Sequence, residues 1–101
     1  MDTRGRFDEI ADDMCARDGD VTQSQMMGMP ALKKAGKLWV GFWKDEMVFK
    51  LTDAGAREET LALEGAHLFD PGDRGRPMKE WVVVPAEHAD RWAQLAERAL
   101  R

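Results

Sequence analysis

The stretch KLWVGFW, Lys37 to Trp43, does most to limit what this chain can become. Seven residues dominated by Trp, Val and Phe favour a strand, because branched and aromatic side chains fit a pleated surface. Ala35-Gly36 stands just before it and Lys44-Asp45-Glu46 just after, each short enough only for a tight turn. Met47 to Leu51 continues as a strand. Val21 to Met27 and Ala31 to Ala35 precede as extended segments, separated by the punctuation of Gly28 and Pro30. Hairpin-length links join antiparallel strands, whereas parallel strands need a long crossover. A doubly wound parallel sheet is excluded, and the middle of the chain reads as an antiparallel meander.

Helical periodicity flanks it. Phe7, Ile10, Ala11 and Met14 fall on one stripe of a helix over roughly residues 4–16, which Asp18-Gly19-Asp20 stops. A weaker helix spans Asp53 to Leu63. Thr52 or Asp53 can cap it and Gly65 can end it, while Gly55 weakens it. Trp81 to Val84, WVVV, reads as a buried strand stopped by Pro85. Ala86 to Leu100 reads as a last helix with the stripe His88, Trp92, Leu95, Ala96 and Ala99. The expectation is one α+β domain over residues 1–101, with helices layered on an antiparallel sheet of about five strands.

Strict alternation along KLWVGFW sends Leu38, Val40 and Phe42 to one side and Trp39, Gly41 and Trp43 to the other. Both sides are apolar, so helices must cover both or a partner must meet the second. Trp39 and Trp43, with the adaptable methionines Met27 and Met29, are therefore the candidate protein interface. A second copy of the chain is the expected partner, with another protein or an apolar ligand held in a groove as the alternatives.

Charge narrows the other classes. The net charge is −4, and residues 1–20 carry all of it, with seven acids against three arginines. The remainder is balanced, so no global basic field marks a nucleic-acid binder. Two small cationic groups, Lys33, Lys34 and Lys37 in the first hairpin and Arg74, Arg76 and Lys79 in the loop before WVVV, form the candidate basic patch. A weak nucleic-acid-binding or transcription-associated role through that patch is the alternative reading. No apolar run approaches a membrane span, the N-terminus lacks a signal-type apolar region, and Cys15 has no internal disulfide partner; a cytoplasmic location is expected.

Catalytic chemistry finds little to stand on. His67, His88 and Cys15 lie on three different elements, and the one serine, Ser24, sits in a strand. The glycines of Gly72-Asp73-Arg74-Gly75 match no phosphate-binding spacing. Asp70-Pro71-Gly72 has the chemistry of a β-turn, and the loop from Phe69 to Trp81 reads as a connector between two sheet strands anchored at both ends. No catalytic residue, metal ligand or cofactor is assigned.

Several stretches together resemble the N-terminal domain of the TfoX/Sxy family: Met27-Gly28-Met29-Pro30, Leu32-Lys33, Gly36-Lys37, Trp39-Val40-Gly41, Lys50-Leu51, and Gly75-Arg76-Pro77-Met78-Lys79-Glu80-Trp81. The resemblance runs from about Gln25 to Ala99, and order and spacing agree as well as residue type. Met27 stands where the family usually has Phe. The related MmcQ/YjbR family shares the layout. The resemblance implies the order helix, three strands, helix, two strands, helix, similar to secretion chaperones, with a fifth strand near His67–Phe69. It brings no catalytic or metal residues. The expected function is a small non-enzymatic domain acting by protein–protein contact, regulatory in character.

Overall fold

A computed structural model describes residues 2–71, 75 and 77–100. Helix α1 (Thr3–Arg17) opens the chain, capped by the Asp2 carboxylate, which accepts from the Gly5 N–H at 2.7 Å. Four strands follow: β1 (Val21–Met26), β2 (Met29–Lys34), β3 (Lys37–Trp43) and β4 (Glu46–Lys50). Then come α2 (Ala54–Leu61), β5 (His67–Phe69), β6 (Met78–Val84), a 3-10 helix (Ala86–Arg91) and α3 (Trp92–Arg98). The six strands form one antiparallel sheet in the order β1-β2-β3-β4-β6-β5. The two-layer α+β class therefore holds, with four strands rather than three before α2.

The extra strand comes from the β1–β2 hairpin, which turns at Met27-Gly28. Met27-Gly28, Ala35-Gly36 and Lys44-Asp45 each hold positive φ at both residues. That is the pattern of two-residue turns whose twist matches flanking strands. Pro30 does not interrupt β2 as its chemistry suggests. It pairs with Gln25 on one side, and the β2–β3 ladder begins only at Ala31, so its missing N–H costs no bond there.

The last helical segment is also divided. His88 takes φ −107 and ψ 21, and the chain runs as a 3-10 helix before α3. The His88 Nε2 lies 2.9 Å from the Glu64 carbonyl, which ties the segment to the turn that follows α2. Trp92, Leu95 and Ala96 from the expected stripe are buried, and Ala99 is half-buried.

All the helices serve one face of the sheet. Phe7, Ile10, Ala11 and Met14 of α1 and Trp92, Leu95 and Ala96 of α3 join Val21, Leu32, Val40, Phe42, Phe49 and Val82 in one core, with Leu61 of α2 packed against it. The opposite, open face carries a second apolar cluster that includes Met29, Val48, Phe69, Trp81 and Val83 and, among the described residues, no helical one. WVVV divides between the two, as a strand with two apolar faces must. Phe69 and Trp81 are both buried, so the connector between β5 and β6 is anchored as expected.

Candidate functional site

The proposed interface residues do not share a surface. Leu32 pairs with Val40 and Lys33 with Leu38, which leaves Trp39 as one extra residue in β3. This is a β-bulge, and it reverses the alternation on which the sequence reading depended. Trp39 turns to the helix face, is 5% exposed, and donates its indole N–H to the Ala96 carbonyl of α3 at 3.0 Å. It is a core residue beneath the protein's own helix, not a contact residue.

The other three lie on or beside the open face. Trp43 is half-buried, edge-on to Phe69 with centroids 5.7 Å apart, and the Lys44 ammonium lies 5.2 Å from its ring. Met29 is buried and covers Gly41, where a Cβ would come 2.9 Å from the Met29 methyl. The sheet thus fills its own open face by laying a long side chain over a glycine. Met27, at the tip of the β1–β2 hairpin, is 57% exposed.

The basic residues are divided too. Lys34 reaches the Asp18 carboxylate at 2.6 Å on the helix side. That hydrogen bond, helped by the Asp20 N–H, holds the Asp18 carboxyl below its ordinary value and raises the Lys34 ammonium above its own. Lys37 is the register partner of Lys34, whereas Lys33 pairs with Leu38 and so points to the open face. Lys79 is exposed on β6, and Arg74 and Arg76 lie outside the described residues. Lys33, Lys34 and Lys37 do not make one cationic surface.

The other chemical groups are bound locally. Burial, and then the nearby Asp12 carboxylate, push the Cys15 thiol up, away from thiolate chemistry. His67 Nδ1 lies 3.0 Å from the Gly65 carbonyl. Among the described residues no three His, Cys, Asp or Glu side chains group as metal ligands. A cleft of about 650 Å³ runs between α2 and α3, past Ala56, Thr60, Leu63 and Leu95, with the Arg98–Glu59 ion pair at its rim. The Thr60 hydroxyl donates to the Ala56 carbonyl at 2.8 Å, so that polar group is already satisfied.

What the sequence reading passed over is the sheet's edge. β1 is a terminal strand, and its six residues, VTQSQM, hold no charge and no proline. The other edge, β5, is three residues long. Natural edges are usually blunted by shortness, lysine, proline or a bulge, because open N–H and C=O groups invite another strand. β5 is blunted by length, and β1 by none of these. The two-residue turn at Met27-Gly28 makes Met26 and Met29 a hydrogen-bonded pair, so alternate residues Ser24 and Thr22 also turn their backbone groups to β2. The Asp20 carbonyl, accepting from the Ala35 N–H, continues that parity. Val21, Gln23 and Gln25 therefore direct theirs outward. The Val21 N–H is occupied by the Asp18 carbonyl at 3.0 Å, which leaves Gln23 and Gln25 as the open donors.

Against protein-family models, curated proteins and solved structures, this chain finds no match.

Proposed function

We propose that this chain is a non-enzymatic protein–protein contact domain, self-associating and regulatory in character, of the kind its resemblance to the TfoX/Sxy N-terminal domain implies. The observation that carries the reading is the unprotected outer edge of β1, a six-residue uncharged strand in which Gln23 and Gln25 direct their ladder groups away from the sheet. Strand addition at such an edge supplies affinity through main-chain hydrogen bonds and needs no catalytic group. A cytoplasmic setting, expected from the single cysteine Cys15, completes the reading. The nucleic-acid alternative loses support because Lys34 is held by Asp18 and Lys33 faces away from Lys37.

The test is sedimentation velocity from low micromolar to about 1 mM, a range suited to an interface smaller than the standard class. Amide exchange at Gln23 and Gln25 is read in the same samples. Association with rising concentration, with both amides becoming protected, is the expected result. A monomer throughout, with both amides exchanging at unprotected rates, refutes the reading.

A further inference from the structure

We propose that the occupant of the β1 edge is the β1 strand of a second copy, paired antiparallel about a two-fold axis at Ser24. This rests on the reading of the chain as a self-associating contact domain. It adds the geometry of the association.

Parity decides which registers are available. A two-fold axis perpendicular to the sheet keeps both helical layers on the same side, so opposed residues must come from the same face of β1. Gln23 and Val21 belong to the helix face, since the Gln23 amide donates to Asp12 of α1 at 3.4 Å and Val21 is in the helix-side core. Ser24 opposes Ala31, and Met26 opposes Met29, on the open face. A central axis can therefore sit at Gln23 or at Ser24, not between them.

Charge and backbone chemistry favour Ser24. Asp12 has no ion pair among the described residues. An axis at Gln23 would bring each Asp12 opposite its own copy over the joined strands, and like charges so placed repel. An axis at Ser24 opposes Gln23 with Gln25 of the second copy. Each Asp12 then gains an uncharged amide donor beside it. In that register the N–H and C=O of Gln23 and of Gln25 all find partners in the second copy, giving four ladder hydrogen bonds. The Val21 N–H, already bonded within its own chain, needs none. Two small Ser24 side chains meet at the axis, flanked by Thr22 opposite Met26, so the open-face clusters of the two copies continue one another.

Cysteine cross-linking reads the register directly. Opposed residues that do not exchange hydrogen bonds have Cα atoms about 4.5 Å apart, within disulfide reach. In the Ser24-centred pair, Gln23 and its copy are two residues out of step, more than about 8 Å apart and beyond reach. In a Cys15→Ser background, Ser24→Cys, Gln23→Cys and Met27→Cys are incubated with oxidised glutathione and run on non-reducing gels. Met27→Cys reports random collision, because Met27 is exposed at the hairpin tip, beyond the end of β1. We expect at least about tenfold more covalent dimer from Ser24→Cys than from either other variant, since only that pair meets the geometric requirement. Cross-linking led by Gln23→Cys overturns the Ser24 axis. A sedimenting dimer of the unsubstituted protein with no selective cross-link overturns β1 self-pairing while leaving self-association standing. A monomer, whether or not another protein's extended segment protects the edge, overturns both.

Discussion

Replacing Trp39 by Phe tests the bulge, because the bulge decides which layer of the molecule the indole belongs to. On the helix face, Trp39 is 5% exposed and donates to the Ala96 carbonyl at 3.0 Å. Phe at this position leaves that carbonyl without its donor, a loss of about 1 kcal/mol. It also removes ring atoms from beneath α3 and leaves a gap that relaxes only in part, a further ~1–2 kcal/mol. The sum is about 2–3 kcal/mol, or about 10–20 °C in the midpoint of a domain this size. Trp43→Phe is the control. Trp43 is half-buried, and Phe can keep an edge contact with Phe69, so that change should cost about 1 kcal/mol or less. Urea unfolding followed by circular dichroism measures both, provided the denaturant slopes agree. Equal losses for the two variants, or a larger loss at Trp43, would show that Trp39 does not lie beneath α3.

Further changes probe the turn, the cap and the surface pair. Met27→Asn should raise stability by about 0.5–1 kcal/mol in the same assay, because Asn tolerates the left-handed backbone at φ 50 better than Met and little buried surface is lost. Asp53→Ala removes the side chain that caps α2 through the Ala56 N–H at 2.8 Å and should cost about 1 kcal/mol; an unchanged urea midpoint would deny the cap. Lys34→Met should move the Asp18 titration, followed by NMR, upward toward the ordinary carboxylate value. Because the folded value is lowered, the Asp18 contribution to stability is present at neutral pH and fades as pH falls below about 4. The raised Lys34 value means the lysine's contribution persists until pH rises beyond about 10. An Asp18 titration indifferent to the substitution would mean that Lys34 does not hold it.

Local chemistry made much of the fold legible. The α1 stripe of Phe7, Ile10, Ala11 and Met14 is buried as its spacing requires, and the turns at Ala35-Gly36 and Lys44-Asp45 sit where short links force them. The β1–β2 hairpin was obscured because Met27 is an unusual residue for a left-handed turn position and Pro30 reads as a breaker. Its tolerance depends on a neighbouring strand that begins one residue later. The division of the last helix at His88 was equally hidden, since its periodicity fits one continuous helix. The edge at β1 left a readable trace in the uncharged run VTQSQM, but sequence alone does not say which strand ends the sheet.

By itself, then, the sequence determined the class of structure: hairpin-length links demand antiparallel strands, and amphipathic stripes demand helices laid on a sheet. Tertiary structure decided what each apolar side chain is for. One inserted residue in β3 changes the face on which Trp39 lies, and α3 supplies the carbonyl that its indole requires. Strand order likewise places β1, rather than a charged or proline-bearing strand, at the long open edge. Periodicity is a property of neighbouring residues, whereas a bulge and a sheet edge are properties of which strands meet, and that is settled only when the layers pack.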